Sequence, residues 1–102
     1  MMVVRVMRGA RKRAIARRMC EENPTIHVGK AGVTQGLVDE VSRQLDKRRV
    51  VKLRVLRSAL AERSVEDVAA EVAQQTESTL VEVRGHTFIL YRRKRRQPMR
   101  RR

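Results

Sequence analysis

Residues 50–56, VVKLRVL, alternate strictly in polarity: Val51, Leu53 and Val55 fall on one side, Lys52 and Arg54 on the other. Successive side chains of a strand point to opposite faces, so this pattern demands a sheet with a buried face. Three other segments can supply its neighbours. Residues 25–28, TIHV, read as a short strand, and 79–84, TLVEVR, with 87–91, TFILY, form a hairpin around a Gly85-His86 turn. Between these strands the apolar period changes to that of a helix. Leu37, Val38, Val41 and Leu45 share one face of a helix that Thr34 caps and that runs to about Arg48, with Asp39, Glu40, Arg43 and Lys47 opposite. Ser64 caps another helix, with Glu66 and Asp67 complementing its dipole and Val65, Val68, Ala69 and Val72 on its apolar face. Residues 8–22, RGARKRAIARRMCEE, lack Gly and Pro after Gly9 and form a first helix with Ile15 and Met19 inward, ended by Asn23-Pro24.

The element order is therefore α-β-α-β-α-β-β, which predicts an α/β fold. The expected architecture is a two-layer sandwich: a four-stranded mixed sheet, largely parallel and closed by one antiparallel strand, with the helices packed on one face. The other face would then carry Lys52, Arg54, Glu82 and Arg84. At 102 residues the chain suffices for one domain, expected over 8–92, with a basic disordered tail over 93–102. Phe88 and Tyr91 are its only aromatic residues, so Val, Leu, Ile and Ala must build the core. Phe88 is expected inside, and Tyr91 either packs on the hairpin or stacks on a base.

Charge is distributed unevenly. Residues 1–22 carry seven basic and two acidic side chains, residues 23–91 ten and nine, and residues 92–102 eight and none. A nearly neutral body with arginine-laden ends attracts polyanions. Membrane surfaces also attract such ends, but no apolar run approaches the roughly 18 residues of a spanning helix. The apolar start, Met1 to Met7, is too short for a signal peptide, and the single Cys20 excludes an internal disulfide. The expectation is a cytoplasmic monomer whose partner is RNA.

One stretch carries interpretable chemistry: Val28-Gly29-Lys30-Ala31-Gly32-Val33-Thr34. Two glycines frame a turn between a strand and a helix N-terminus, Lys30 adds a positive charge at the tip, and the free helix amides favour an anion. Such a G-x-x-G loop can grip a nucleic-acid backbone. The spacing is too short for a Walker loop, and the third glycine of a dinucleotide fingerprint is missing. His27, His86 and Cys20 do not make a metal site, and no nucleophile-base grouping stands out, so neither cofactor nor catalysis is expected. The candidate RNA-binding residues are Gly29, Lys30, Ala31, Gly32 and Thr34 in the loop, Arg13 and Arg17 on the first helix, and Arg92, Arg93 and Lys94 at the start of the tail.

The stretch IHVGKAGVTQGLVDEVSRQLDKRRVVKLRVL, followed by TLVEVRGHTFILYR, resembles the YhbY-type CRM domain (chloroplast RNA splicing and ribosome maturation). The shared signatures are Gly29 to Thr34, Val51 to Leu53 and Gly85 to Arg92, and the similarity spans roughly residues 10–92. The resemblance implies a fold similar to the C-terminal domain of bacterial translation initiation factor three. It also implies binding to structured RNA, and association with precursors of the large ribosomal subunit in single-domain prokaryotic members. Related domains in plant organelles assist group II intron splicing. The family's loop maps onto Gly29, Lys30, Ala31 and Gly32. The first helix departs from the family pattern, which is Leu-rich with Ala-His before the strand where this chain has ARRMCEENPTIHV. Whether that helix docks on the sheet or extends toward RNA is open at this level. Two alternatives to an assembly factor share the charge pattern: a structural ribosomal protein and an archaeal-type DNA- or RNA-packaging protein.

Overall fold

A computed structural model describes residues 9–61 and 63–93. The elements are α1 (Gly9–Met19), β1 (Ile26–Val28), α2 (Gln35–Arg48), β2 (Val50–Val55), a short 3-10 turn (Arg57–Ala59), α3 (Val65–Thr76), β3 (Thr79–Arg84) and β4 (Thr87–Tyr91). Both anticipated caps form. The Thr34 hydroxyl accepts a hydrogen bond from the Leu37 amide at 3.1 Å, and the Ser64 hydroxyl accepts one from the Asp67 amide at 3.1 Å. Helix α1 stops at Met19 rather than at residue 22. The chain leaves it through a turn in which the Glu22 amide donates to the Met19 carbonyl, just before Pro24.

The four strands make one mixed sheet in the order β1-β2-β4-β3. The strand directions follow the expectation, with β1, β2 and β3 running one way and β4 the other; the position of the antiparallel strand needs correction. β1 and β2 pair in parallel, but β4 pairs antiparallel to both β2 and β3, so the antiparallel strand lies inside the sheet and does not close its edge. The Gly85-His86 turn, where Gly85 adopts a φ of +59°, folds β4 back along β3 as the hairpin expectation required. β4 is also the most apolar strand, with Phe88, Ile89 and Leu90 all buried in succession. A strand buried on both sides belongs in the middle.

That same run corrects the second expectation, helices on one face. α2 and α3 do share a face. There Val41 and Leu45 of α2 and Val68, Ala69 and Val72 of α3 meet Val28, Val51, Leu53, Val55, Phe88 and Leu90. α1 lies against the opposite face, where Ile15 packs with Val50, Val81 and Ile89, flanked by Ala16, Met19 and Tyr91. The sheet is thus covered fully on one side and partly on the other. A register shift between Leu80 and Glu82 inserts Val81 as an extra residue and delivers it to this second core.

Arg92, directly after β4, ties the layers together. Its backbone amide donates to the Arg49 carbonyl. Its guanidinium donates to the carbonyl oxygens of Thr76 and Ser42, both at 2.8 Å, to the Ser42 hydroxyl at 3.1 Å and to the Asp46 carboxylate at 2.7 Å. The Arg92 side chain is only 10% exposed, whereas that of Asp46 is 69% exposed. Most of the value therefore lies in the carbonyls of Ser42, midway along α2, and of Thr76, at the end of α3. Arg92→Ala should destabilise the domain by about 3 kcal/mol in urea unfolding, because it strands buried acceptors. Asp46→Asn, which loses only a solvent-screened charge, should cost less than about 1 kcal/mol.

Candidate nucleic-acid interface

Parallel pairing brings the ends of β1 and β2 to the same side of the sheet. The Leu56 amide donates to the Val28 carbonyl at 2.8 Å, and the Val55 amide donates to the His86 carbonyl at 2.7 Å. The loop after β1, the segment after β2 and the hairpin turn therefore cluster at one end. Carboxyl ends of parallel strands are where open α/β sheets usually present ligand sites.

The loop closes by a hydrogen bond from the Gly32 amide to the Gly29 carbonyl at 2.9 Å. Its two glycines differ in kind. Gly32 has a φ of +73° with open space around it, so a side chain there would meet no clash but would carry the strain of a left-handed backbone, as Arg49 and Glu77 do elsewhere in the chain. Gly29 has ordinary backbone angles, and a Cβ on it would lie 3.8 Å from Leu56 Cδ1, a normal contact. The fold tolerates a side chain at Gly29. Lys30 and Ala31 are exposed at the tip, and the Lys30 ammonium has no partner among the described residues. Thr34 belongs to this corner as the α2 cap, so its oxygen is already an acceptor within the helix. Thr34 accepts from the Leu37 and Val38 amides, so of the first amides of α2 those of Gln35 and Gly36 are the ones without an intrahelical acceptor. Leu56 beside Gly29 is the exposed large hydrophobic side chain among the described residues.

Register adds residues that the sequence-level site omits. His27 pairs with Arg54, Arg54 with Thr87 and Thr87 with Arg84, a row crossing all four strands beside the loop. His27, Arg54 and Arg84 are exposed, and they share the face on which α1 packs. The clue in sequence was the polar phase of each strand, but only the pairing places these side chains in line.

Arg13 and Arg17 sit apart from the loop, on α1, where with Arg84 they border a groove against β3. The helix is anchored by Lys52, whose ammonium donates to the carbonyl oxygens of Met19 and Cys20, each at 3.1 Å, and of Glu22 at 3.0 Å. A cation at a helix C-terminus satisfies orphan carbonyls and complements the dipole. Tyr91 is also occupied. The Arg11 guanidinium lies 5.0 Å from its ring centroid and donates to its hydroxyl, which leaves it a packing role at the α1 end of the hairpin.

Of the tail candidates, Arg92 departs from expectation: its guanidinium is engaged by the internal contacts described above and is little exposed. Arg93 is exposed, and Lys94, with the rest of the tail, lies outside the described residues. Among the described residues no cluster of His, Cys, Asp and Glu could hold a metal, and no helix is long and apolar enough to cross a membrane.

An α/β domain with a glycine corner at the carboxyl end of its sheet and cations around it defines a class of small basic modules. Residues 7–92 match the CRS1 / YhbY (CRM) domain, and the chain belongs to that family. It is 29% identical over 87 residues to the Bacillus subtilis protein named "Probable RNA-binding protein YqeI", covering 85% of this chain and 88% of that one. It is 31% identical over 88 residues to the Methanocaldococcus jannaschii protein named "Probable RNA-binding protein MJ0652", covering 86% of this chain and 65% of the relative. The solution structure of the hypothetical protein SAV1595 from Staphylococcus aureus superposes with a TM-score of 0.73 at 23% identity, over 89% of this chain and 93% of that one.

Lys52→Met keeps the alkyl stem and removes the cap on α1. It should lower the unfolding free energy by about 2 kcal/mol, as for hydrogen bonds to a charged group. Hydrogen exchange should show amide protection in Ile15–Met19 falling further than in α3. Uniform loss across both helices would mean that α1 is not separately held.

Proposed function

We propose that this chain binds structured RNA without catalysing a reaction, and that it acts in the cytoplasm as a monomeric assembly factor on precursor large-subunit ribosomal RNA. The observation that carries the reading is the corner itself. An unpartnered Lys30, a left-handed Gly32 and the open amides of α2 meet at the end of the sheet that carries His27, Arg54 and Arg84. Amides and a cation converging on a solvent-facing turn suit a phosphate oxygen. The net charge of +14 and the names of the two relatives support RNA as the polyanion. A scarcity of aromatic side chains favours reading of shape and backbone over extensive base stacking. The large-subunit assignment rests on membership of the family and on the basic ends.

Lys30→Ala should weaken binding to a structured ribosomal RNA fragment roughly three- to tenfold. It should make the slope of log K against log salt shallower by about 0.7–0.9. The urea midpoint should not move, since Lys30 is exposed and has no polar partner among the described residues. Gly29→Ala should also fold normally and yet lose affinity, because the added methyl stands where the backbone of RNA would approach. Wild-type affinity in both variants would remove the loop from the interface. In cells, the protein should sediment with immature large-subunit particles, and stoichiometric presence in washed mature ribosomes would instead favour a structural ribosomal protein.

A further inference from the structure

The groove between α1 and β3 has a composition that the glycine corner does not account for. Its volume is about 500 Å³, within the range of small-molecule sites. Lys12, Arg13 and Arg17 line its helix wall and Arg84 its strand wall. Three cations within one and a half helical turns repel each other, and among the described residues Lys12, Arg13 and Arg17 have no acidic partner. The floor is small and apolar, formed by Ala16 and the bulged Val81, both part of the second core. One acceptor faces this space: Glu82, whose Oε2 takes a hydrogen bond from Arg84 Nε at 2.9 Å while Oε1 has no partner among the described residues.

We propose that this groove holds one unpaired nucleotide of a structured RNA, and this rests on the RNA-binding reading given above. The base lies on the Ala16–Val81 floor, the flanking phosphates meet Arg13, Arg17 and Lys12, and Glu82 Oε1 accepts from an amino group on the base edge. Every part of the occupant has a counterpart: an apolar face for the floor, anions for the unpaired cations, and a donor for the free carboxylate oxygen. A bulged adenosine, cytidine or guanosine fits this description, whereas uridine lacks the exocyclic amino group. The site is separate from the loop. β1 and β3 are opposite edges of a four-stranded sheet, about 14 Å apart at the usual strand spacing.

Cys20, the only cysteine of the chain, is exposed at the groove rim and reports occupancy without mutation. Two hairpins with the same stem, one carrying a single bulged adenosine and one fully paired, are the probes. At ten times its Kd, the bulged hairpin should slow alkylation of Cys20 by N-ethylmaleimide about tenfold, as mass action requires for an occluded thiol. The paired hairpin, matched for occupancy, should leave the rate nearly unchanged. Ala16→Leu, which fills the floor without altering charge, should abolish preference for the bulged hairpin while preserving the salt slope. Replacing the bulged adenosine by uridine should reduce affinity about tenfold in the wild type and not in Glu82→Gln. Equal alkylation rates in the two complexes would overturn the groove assignment while leaving RNA binding intact. Failure of both hairpins to bind at low salt would overturn the RNA reading and the groove together.

Discussion

A lysine that reads as a solvent-facing strand residue holds this structure's second layer in place. Lys52 lies on the polar phase of β2, and its ammonium donates to the carbonyl of Met19, the last residue of α1, and to those of Cys20 and Glu22 in the turn that follows. α1 needs that support. It is an eleven-residue helix, rich in arginine, with a single buried side chain, Ile15. Helices of that length are marginal alone, and repulsion among like charges weakens this one further. A cation at its C-terminus answers the orphan carbonyls and the dipole in one contact. Without it the face formed by Val50, Val81 and Ile89 would be left to water.

From that anchor follows the division of labour between the two faces. The face under α2 and α3 is continuous and apolar and supplies most of the core. The face under α1 is apolar only near Val50, Ile89 and Val81. Beyond the helix it becomes a polar row of His27, Arg54, Thr87 and Arg84. Half the sheet is therefore spent on stability and half of its reverse side is available to a ligand. Arg92 belongs to the first task, since it bridges α2 and α3 from behind the end of β4.

The elements were legible because their signals are local. Alternation in VVKLRVL and the helical spacing of Val38, Val41 and Leu45 reappear as buried positions, and Thr34 and Ser64 cap where their chemistry allows. What escaped depends on pairing. The run Phe88-Ile89-Leu90 already declared a strand covered on both sides, yet a strand of five residues tolerates several readings until its neighbours are known. Arg92 adjoins seven further cations in the tail and is indistinguishable from them by composition. Only the folded chain brings Ser42, Thr76 and Asp46 to its guanidinium. The loop was legible as a loop, but the unequal demands on its glycines were not, because φ at Gly32 and the clearance at Gly29 are tertiary facts.

Unequal glycines bear on how the corner and the groove relate. A residue favoured by the fold says little about ligands, and Gly32 is of that kind, since its left-handed backbone disfavours a side chain whether or not RNA binds. Gly29 is not, and neither are the unpaired cations of α1, which cost stability in the free protein through mutual repulsion. Features that the free fold does not need, and partly suffers from, are better guides to the bound state than those it requires. They occur here at two places on opposite edges of one rigid sheet. A ligand that satisfies both must itself be rigid enough to keep its phosphates in register over that span. A polyanion ordered in advance meets the requirement, whereas a flexible one would lose ordering entropy in every unit between the two contacts.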